Sequence, residues 1–463
     1  YMDRLVEILA QKIRKQAHIR IIGDYDVDGV TSSHLFLTAL RRVGAKVDVV
    51  IPHRIQDGYG LSLHLLQQAK EDGVDTILTC DNGIAAIDEI AWAKAQKMTV
   101  LVTDHHAVPF EEHEGRRTEK KSLADAVVNP HQQDCGYPYK ELCGAGVAWN
   151  VIRVLYENYD MDKREAEDLL DFVAMATVCD VMSLTGENRI LVKEGLKRIR
   201  HTKNIGLQAL MQACNVQPEY ISAFDFGFVL GPCVNATGRL DTARHALRLF
   251  ETGQETEAEE IARDLVDLNQ ERKELTLQGV EMAKKLCEEG GYENDPVLVL
   301  FLPDVHESIA GLIAGRIREM YNRPVFVLTR GEEGVKGSGR STENYSMYEN
   351  MCGCAELFTK FGGHPMAAGL SLPEENVEKF RRKINENCPL TVEEVCPDIH
   401  IDMAMPVGYA STELVHQFAL LEPFGKDNPS PLFADRNLSI SRMWLIGKNR
   451  NVLRMSVLSE YGQ

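Results

Sequence analysis

Hydrophobic and polar residues alternate with two periods in the first hundred residues, and each period indicates one kind of element. Runs rich in β-branched residues predict four strands, at 19–22, 47–51, 76–80 and 99–103. Amphipathic stretches predict the helices between them, near 30–43, 61–71 and 84–97. Because a strand–helix–strand series builds a parallel sheet with helices on its faces, the chain is predicted to begin with an α/β domain.

Acidic and imidazole side chains follow three of these predicted strands. The residues are Asp24, Asp26 and Asp28 after the first strand, Asp81 after the third, and Asp104-His105-His106 after the fourth. The carboxyl ends of parallel strands meet at one edge of a sheet, where the ligands of such sheets bind. Carboxylates crowded together repel one another unless a cation lies between them. The pattern therefore predicts a divalent-cation site at this edge.

The stretch from Asp24 to Gly29 has two other interpretations. It matches the start of an EF-hand calcium loop, which needs a bidentate Glu at its twelfth position and a helix before it. Here the twelfth position is Leu35 and a predicted strand comes first, so the EF-hand interpretation fails on both counts. An acidic turn that caps the next helix stays open on these residues alone. The carboxylates after the other strands favour the metal site.

Asp180 is a further candidate ligand. It ends a helix predicted over 164–178, where the helix dipole disfavours an acidic residue, although it could simply begin the next turn. Carboxylates with one or two imidazoles suit Mn²⁺ or Mg²⁺, whereas structural zinc prefers Cys and His. Two such ions, about 3.5–4 Å apart and sharing a carboxylate, can activate water and stabilise an in-line phosphoryl displacement. Phosphoester hydrolysis is therefore the leading chemistry.

The middle of the chain predicts a bridge and a second α/β domain. Residues 107–126 are predicted to be a solvated surface loop, and residues 241–287 to form one or two long helices. The second α/β pattern has strands at 296–301 and 324–328 and a helix near 308–321.

Two glycine-rich segments of this second domain are predicted to be loops. They are 337–341, which contains Arg340, and 361–369, which contains His364. Glycines let the backbone approach a ligand closely, and backbone N–H groups with Arg can bind phosphate oxygens. Either loop alone is more often a structural turn, but together they favour an anionic ligand.

The last segment is locally basic in an acidic chain. After residue 397 the pattern changes to short strands and turns, and the charges between 435 and 455 are one Asp against Arg436, Arg442, Lys448, Arg450 and Arg454. Such a β module suits a nucleic-acid backbone. A merely solvated face is an equally weighted alternative.

Composition limits the class of protein. The chain has 463 residues, 44% hydrophobic and 26% charged, which is typical of a soluble globular protein of two to four domains. No apolar run approaches the roughly 18 residues of a membrane span, and no signal peptide is recognised, so a cytoplasmic location is expected. Eleven scattered cysteines favour a reducing compartment. The net charge of −18 argues against a non-specific polyanion binder. Because the chain begins at Tyr1, the sequence leaves open whether it is a fragment.

The motifs together resemble those of a known family. Asp-Tyr-Asp-Val-Asp-Gly at 24–29, Asp81-Asn-Gly, Asp104-His-His and Asp180 resemble the motifs of the DHH phosphoesterase superfamily, and Gly362-Gly363-His364 resembles the signature of its associated second domain. Further segments resemble one branch, the RecJ single-strand-specific exonucleases. These segments are Arg54 with Gly58–Leu61, Gly186–Arg189, Gly231-Pro232 with 235–239, 338–341, and 423–429.

The resemblance implies a fold and domain boundaries. It implies a parallel-sheet DHH catalytic domain over 1–235, connecting long helices over 236–290, a DHH-associated α/β domain over 291–390, and an OB-like β domain for nucleic acid over 396–463. The implied activity is a metal-dependent exonuclease that degrades single-stranded DNA, from 5′ to 3′, in DNA repair and recombination.

The resemblance also implies roles for individual residues. Two Mn²⁺ or Mg²⁺ ions would be held by Asp26, Asp28, Asp81, His105 and Asp180, with Asp24 as a ligand or a neighbour of the ligands. His106, Arg239 and His364 would contact the scissile phosphate. The substrate would be bound by Arg54, Ser338, Gly339, Arg340, Gly362 and Gly363. Of these, Arg54, Ser338 and Arg340 would bind the terminal phosphate of the strand.

Two departures from the family pattern are visible. Ile22 stands where many DHH enzymes have a metal-binding His, which makes Asp24 a stronger candidate ligand. Cys233 stands where many RecJ-like sequences have Arg.

Two other functions stay open: a DHH phosphodiesterase acting on cyclic dinucleotides or short oligonucleotides, and a binding protein that retains the fold without catalysing a reaction. The expected partners are single-stranded DNA, a single-strand-binding protein and a helicase, with no membrane and a monomeric state. Residue chemistry alone decides neither the polarity, nor the physiological metal, nor whether RNA is cut.

Overall fold

The computed structural model describes the chain except for residues 55–56, 59, 114–115, 293–294, 332–333, 387, 392–393, 396–398, 448–449 and 459–463, and the side chains of 113 and 116. Two compact units are present: Tyr1–Val266 with His400–Gln463, and Asp267–Ile399. The predicted boundaries at 396 and 463, and the predicted basic residue Lys448, lie outside the described residues. Among the helices that the structure describes, none has the length and apolar character needed to span a bilayer.

The first unit is built on a parallel sheet. Its strands are β1 Ile19–Ile22, β2 Val47–Val50, β3 Thr76–Cys80, β4 Thr99–Thr103 and, after a hairpin of β5 Phe110–His113 and β6 Arg116–Glu119, β7 Ala126–Val128. The order in the sheet is β2-β1-β3-β4-β7, and all neighbours run parallel. The α/β fold with a parallel sheet is therefore confirmed. The predicted loop at 107–126 is wrong in part, because cross-strand pairing of 110–113 with 116–119 forms a hairpin.

Helices cover this sheet and extend beyond it. They are α1 Met2–Arg14, α2 Val27–Arg42, α3 Leu63–Glu71, α4 Ile87–Ala95, α5 Gly144–Asn158, α6 Arg164–Glu167, α7 Leu170–Cys179, α8 Gly186–Ile199, α9 Ile205–Ala213, α10 Ala223–Asp225, α11 Gly231–Leu240 and α12 Arg244–Glu251. Pro218–Tyr220 is a 3₁₀ turn and Phe226–Leu230 is a π-helical turn. The predicted single helix over 164–178 is instead two helices, α6 and α7. The predicted long helices over 241–287 are α12 and the 35-residue α13, Glu255–Glu289.

Burial explains why β1 and α2 form the centre of this unit. All four residues of β1 are buried, and its three isoleucines are fully inaccessible. Each such side chain contributes about 1.5–3 kcal/mol on burial. Arg20 is tolerated in this strand because its guanidinium makes two 2.8 Å hydrogen bonds to Asp48 on β2 and one of 2.8 Å to Asp72. The carboxyl end of β1 is thereby held rigidly where the acidic residues begin.

The second unit contains a mixed sheet. Its elements are β8 Leu298–Phe301, α14 Glu307–Tyr321, β9 Val325–Gly331, β10 Gly334–Arg340, α15 Met347–Cys352, β11 Lys360–His364, β12 Ala367–Leu372 and α16 Val377–Glu386, with 3₁₀ turns at Ala355–Leu357 and Glu374–Asn376. The strand order is β11-β12-β10-β9-β8. The two glycine-rich segments predicted as loops belong mostly to strands β10, β11 and β12. Their glycines make room for close packing, since a Cβ on Gly339 would lie 2.5 Å from the Met347 sulfur.

The last segment of the chain is mostly β structure with one helix. It contains β13 Met403–Ala404, a 3₁₀ turn Val407–Tyr409, α17 Thr412–Phe418, β14 Phe433–Ala434, β15 Ser439–Ile446 and β16 Val452–Leu458. β15 and β16 pair antiparallel. This segment belongs to the same compact unit as the parallel sheet: the backbone N–H of Leu184 donates to the Lys426 carbonyl at 2.8 Å, and Arg189 donates to the carbonyls of Leu420 and Glu422 at 3.0 Å each.

Candidate metal centre and phosphate-binding residues

The acidic turn after β1 is shaped by one close backbone approach. Asp26 is the N-cap of α2, and its carboxylate accepts a 3.0 Å hydrogen bond from the Gly29 N–H. Gly29 itself packs against Asp24, because a Cβ at this position would lie 2.5 Å from the Asp24 nitrogen and oxygen. The turn therefore does cap a helix, as the alternative interpretation predicted, but only through Asp26. The carboxylates of Asp24 and Asp28 do not cap α2.

Asp28 is fixed by the start of α5. Its two carboxylate oxygens accept hydrogen bonds from the backbone N–H groups of Gly144, at 2.5 Å, and Ala145, at 2.7 Å. A helix N-terminus favours a negative charge in this way. Gly144 also has no room for a side chain, since a Cβ would lie 2.6 Å from the Asp81 Cβ and 3.0 Å from an Asp28 oxygen. Gly144 and Ala145 were not identified from the sequence, where the glycine at 144 was the signal available.

Asp81 adopts a backbone conformation that is unusual for a residue with a side chain. Its φ is +62°, in the left-handed region, directly after β3. The adjacent Asn82 ties β3 to β1, because its amide donates to the Ile22 carbonyl at 3.0 Å and to the Cys80 carbonyl at 2.9 Å. Strained conformations of this kind persist where the surrounding structure fixes them, often at functional sites.

His105 lies among three carboxylates. Its Nε2 atom is 3.1 Å from an oxygen of Asp81, and 3.6 Å from oxygens of Asp28 and of Asp180. Potential ligand atoms form three groups, and within each group the atoms lie within 4.8 Å of one another. The groups are Asp24, Asp26 and Asp81; Asp28, His105 and Asp180; and Asp81, His105 and His106. The structure therefore brings together all six residues predicted to bind metal, with His106 beside them.

The electrostatics of this cluster favour a bound cation. Burial, followed by repulsion from neighbouring carboxylates, raises the pKa values of Asp24, Asp26 and Asp81, and the same two causes raise the pKa of Asp180 to about 8. Burial lowers the pKa of His105, so its ring is neutral and able to ligate. Both oxygens of the buried Asp24 lack a well-aligned hydrogen bond, although the N–H groups of Tyr25 and Gly60 lower its pKa somewhat. These residues fit Mn²⁺ or Mg²⁺, which take oxygen ligands and an occasional imidazole.

His106 is oriented by its neighbour Asp104. The Asp104 oxygen Oδ1 lies 2.8 Å from His106 Nδ1 and also accepts the backbone N–H groups of His105, at 2.7 Å, and His106, at 3.0 Å. Burial works against charging the ring, but the hydrogen bond and charge of Asp104 raise the pKa of His106 to about 9. The sequence analysis included Asp104 in a motif without giving it this role.

Two arginines of the first unit lie near the acidic turn. The Arg54 guanidinium stands 5.0 Å from the centre of the Tyr25 ring. Arg239 is in the last turn of α11, whose Gly238 packs so closely that a Cβ would overlap the Tyr25 carbonyl oxygen. Asn235 of the same helix accepts the Val27 N–H at 3.1 Å. Helix α11 is thus fastened directly to the turn that carries Asp26 and Asp28.

The other predicted substrate residues form a separate cluster in the second unit. Arg340 at the end of β10 and His364 at the end of β11 both pair with Ala367 of β12, so they occupy one row across the sheet. Ser338 and Gly339 precede Arg340 on β10, and Gly362 and Gly363 precede His364 on β11. His364 is exposed. This row collects a guanidinium and an imidazole at one edge of the sheet.

Comparison with known proteins identifies the same three parts of the chain. The DHH family N-terminal domain matches residues 18–177, the DHHA1 domain matches 294–388, and the RecJ OB domain matches 401–463. The limits of these matches do not test the domain boundaries predicted from the sequence, which stay predictions.

Individual relatives cover nearly the whole chain. The single-stranded-DNA-specific exonuclease RecJ of Haemophilus influenzae is 35% identical over 100% of this chain and 82% of its own length. The RecJ of Bacillus subtilis is 33% identical over 100% of this chain, which spans only 57% of that relative.

A solved relative shares the fold and was crystallised with the predicted cations. The structure of Thermus thermophilus RecJ in complex with Mn²⁺ has a TM-score of 0.82 at 29% identity, covering 98% of this chain and 64% of its own. The same protein in complex with Mg²⁺ has a TM-score of 0.76 at 28% identity, covering 98% and 62%. The prediction of Mn²⁺ or Mg²⁺ as cofactor agrees with the ions bound in these two structures. From the sequence matches, the three domains and the shared fold, the chain belongs to the RecJ family of single-stranded-DNA-specific exonucleases.

Proposed function

We propose that this chain degrades single-stranded DNA by hydrolysing phosphodiester bonds with two divalent cations. The observation that carries the proposal is the set of three ligand groups that overlap at Asp81 and His105. Overlap of this kind lets one carboxylate serve two ions. When bound, such a pair of ions activates water and stabilises the charge that develops during in-line displacement at phosphorus.

The protein's own residues have distinct tasks in this proposal. Asp24, Asp26 and Asp81 would hold one cation, and Asp28, His105 and Asp180 would hold the other, with Asp81 placed to serve both. Asp104 keeps the His106 ring turned so that Nδ1 is occupied, and the ring is available to hydrogen-bond a phosphate oxygen. Arg239, carried by a helix fastened to the acidic turn, supplies positive charge for the same phosphate, and His364 is proposed as a further contact of that phosphate.

The 5′ to 3′ polarity is part of this proposal and rests on the family resemblance alone. In the proposal, Arg54, Ser338 and Arg340 bind the terminal phosphate of the strand, with Gly339, Gly362 and Gly363 allowing close approach of the strand. A role in DNA repair and recombination, a single-strand-binding protein and a helicase as partners, a monomeric state and a cytoplasmic location are part of the same proposal and rest on the family resemblance.

The test is a cleavage assay with matched substrates. A single-stranded oligonucleotide with a 5′ phosphate and a 3′ label is incubated with Mn²⁺ or EDTA, beside its duplex, an RNA of the same sequence and a cyclic dinucleotide. A ladder of shortening labelled strands that needs metal and is absent for the duplex supports the proposal. Cleavage of the cyclic dinucleotide alone overturns it in favour of the small-ligand phosphodiesterase.

A variant and its control complete this test. Asp81→Asn keeps the shape of the side chain and is expected to lower the cleavage rate about a hundredfold or more. Asp88→Asn, an exposed residue in the first turn of α4, is the matched control and should retain the wild-type rate. Full activity in Asp81→Asn would contradict the two-cation mechanism.

A further inference from the structure

A groove of about 1080 Å³ in the first unit begins next to the metal centre. Val178, Cys179 and Val181, which flank Asp180, lie along it, and several residues between Ala419 and Ser430 also line it. The groove is also lined by the residues around the π-helical turn Phe226–Leu230. It therefore extends from a predicted metal ligand along the protein surface.

Three aromatic side chains in this groove are unusually exposed. Tyr220 is 80% exposed, Phe224 63% and Phe228 69%, whereas Phe226 between the two phenylalanines is fully buried. The Phe224 and Phe228 rings stack on each other, with centres 4.9 Å apart and planes at 25°. A contiguous exposed apolar patch of this kind marks a binding surface. The π-helical turn inserts an extra residue here, a device found mostly at functional sites.

Basic side chains border the same groove. Lys193, Lys197, Arg200 and Lys426 are exposed along it, against the acidic Glu219 and Glu422. Lys197 is engaged with Glu194 at 2.6 Å. Among the described residues, no carboxylate oxygen lies within 4.0 Å of the charged nitrogens of Lys193 or Arg200. The charge of Lys426 acts on the nearby Asp180, where it opposes the rise in pKa. The four basic and two acidic residues that line the groove leave it a modest positive excess, in a chain whose net charge is −18.

The combination selects one chemical class of ligand. Flat exposed rings bind other flat rings, and unpaired cations bind phosphates, so the groove suits a polyanion with accessible bases. A duplex hides its bases within the stack, and only an unpaired strand offers them.

We propose that Phe224 and Phe228 are a stacking platform for bases of the single strand, and that Lys193, Arg200 and Lys426 contact its phosphates on the way to the metal centre. This inference rests on the proposed function. Every base has a π face, so the platform adds affinity without sequence preference. It also makes unpaired bases a requirement for tight binding, and it assigns positioning roles to residues outside the metal centre.

The experiment measures binding apart from cleavage. Fluorescence anisotropy in EDTA compares wild type with the double variant Phe224→Ala/Phe228→Ala on a labelled oligo-dT of about 20 residues, longer than the span of one binding groove. Loss of stacking should weaken binding about tenfold to a hundredfold, as expected for one or two stacked bases. Phe110→Ala, a ring 50% exposed in the β5–β6 hairpin, is the control and should bind as wild type does.

Two further substrates and variants separate stacking from charge. An abasic strand, which has phosphates without bases, should bind the wild type and the double variant equally. Lys193→Gln and Arg200→Gln should each reduce the dependence of log K on log salt by about 0.7. Phe228→Trp keeps a flat ring and should bind as the wild type does, whereas Phe228→Leu should bind more weakly. These two single variants test the platform when the double variant does not fold.

The outcomes distinguish this inference from the proposed function. Unchanged affinity of the double variant for oligo-dT, or an equal loss for oligo-dT and the abasic strand, overturns the platform. Tight binding by wild type in EDTA with no degradation in Mn²⁺ overturns the exonuclease proposal and leaves the platform standing.

Discussion

Asp104 accepts three hydrogen bonds on one carboxylate oxygen, and one of them fixes the imidazole of His106 at 2.8 Å. Its other oxygen accepts the Ile84 N–H, also at 2.8 Å. Asp104 is thus fully occupied as an acceptor, which makes it a positioning residue for His106 and unavailable as a metal ligand.

The substitution Asp104→Asn should alter His106 before it alters anything else. The amide has no charge to stabilise the imidazolium, so the pKa of His106 should fall below the value of about 9 that Asp104 supports. NMR titration of the His106 ring in metal-free protein measures this shift. We expect cleavage to slow by about tenfold to a hundredfold. An unchanged His106 titration would contradict the positioning role.

Mn²⁺ should stabilise the folded protein strongly. In the metal-free protein, burial and mutual repulsion raise the pKa values of Asp24, Asp26, Asp81 and Asp180. A bound cation offsets the free-energy cost of keeping these buried carboxylates charged, and so stabilises the folded state. Thermal melts with and without Mn²⁺ should show a clear rise in Tm for wild type and a smaller rise for Asp81→Asn. The Asp88→Asn control should follow the wild type, and an equal rise in all three proteins would place the Mn²⁺ elsewhere.

Gly144→Ala should damage the metal centre without changing any ligand. The added methyl group would lie 2.6 Å from the Asp81 Cβ and 3.0 Å from an Asp28 oxygen, so one of these carboxylates must move. We expect weaker Mn²⁺ binding by calorimetry and a loss of stability of about 1–3 kcal/mol. Gly136→Ala meets no atom within 4 Å and is the control. Wild-type Mn²⁺ affinity in Gly144→Ala would show that the close contact is not required.

Acidification should destabilise the first unit through His34. This side chain is buried against Phe172, with ring centres 4.4 Å apart, and burial lowers its pKa to about 3. Between this value and the unfolded pKa of about 6.5 the unfolded state binds the extra proton, so stability falls as the pH falls. At a pH of about 5.5 the loss is about 1.4 kcal/mol.

Urea unfolding in EDTA at pH values of about 7 and about 5.5, on either side of the unfolded pKa, measures this effect. Because other groups also titrate, the informative quantity is the difference between wild type and His34→Leu, which cannot bind the proton. The variant should lose less stability on acidification. An identical loss in both proteins would show that His34 does not titrate on unfolding.

The clustering of the candidate metal ligands was predictable because a parallel sheet brings its strand ends to one edge. Asp28, Asp81 and His105 are far apart along the chain, yet each directly follows a strand or the turn after it, and the β-branched runs locate those strands. The N–H groups of Gly144 and Ala145 were not predictable in the same way. They lie 116 and 117 residues from Asp28, and their role depends on where α5 begins relative to the sheet.

The glycine-rich segments show where local sequence misleads. Gly337 and Gly339 suggested a loop, but both lie in β10, where a Cβ on Gly337 would overlap a Leu328 methyl group. Their absence of side chains reflects close neighbours in the tertiary structure, which no local pattern reports. The exposed stack of Phe224 and Phe228 was missed for the related reason that aromatic residues in a helical stretch are normally buried.

The neutral ring of His105 makes the two predicted cation positions electrostatically unequal. Asp24, Asp26 and Asp81 offer three carboxylates and no imidazole, whereas the Asp28 group offers a neutral ring and two carboxylates. The first position therefore attracts a cation more strongly, and the ion bound there repels the second. We expect loading to be sequential, so that at limiting Mn²⁺ the enzyme is singly occupied and inactive, and its activity rises with the square of the concentration only until the first position is filled.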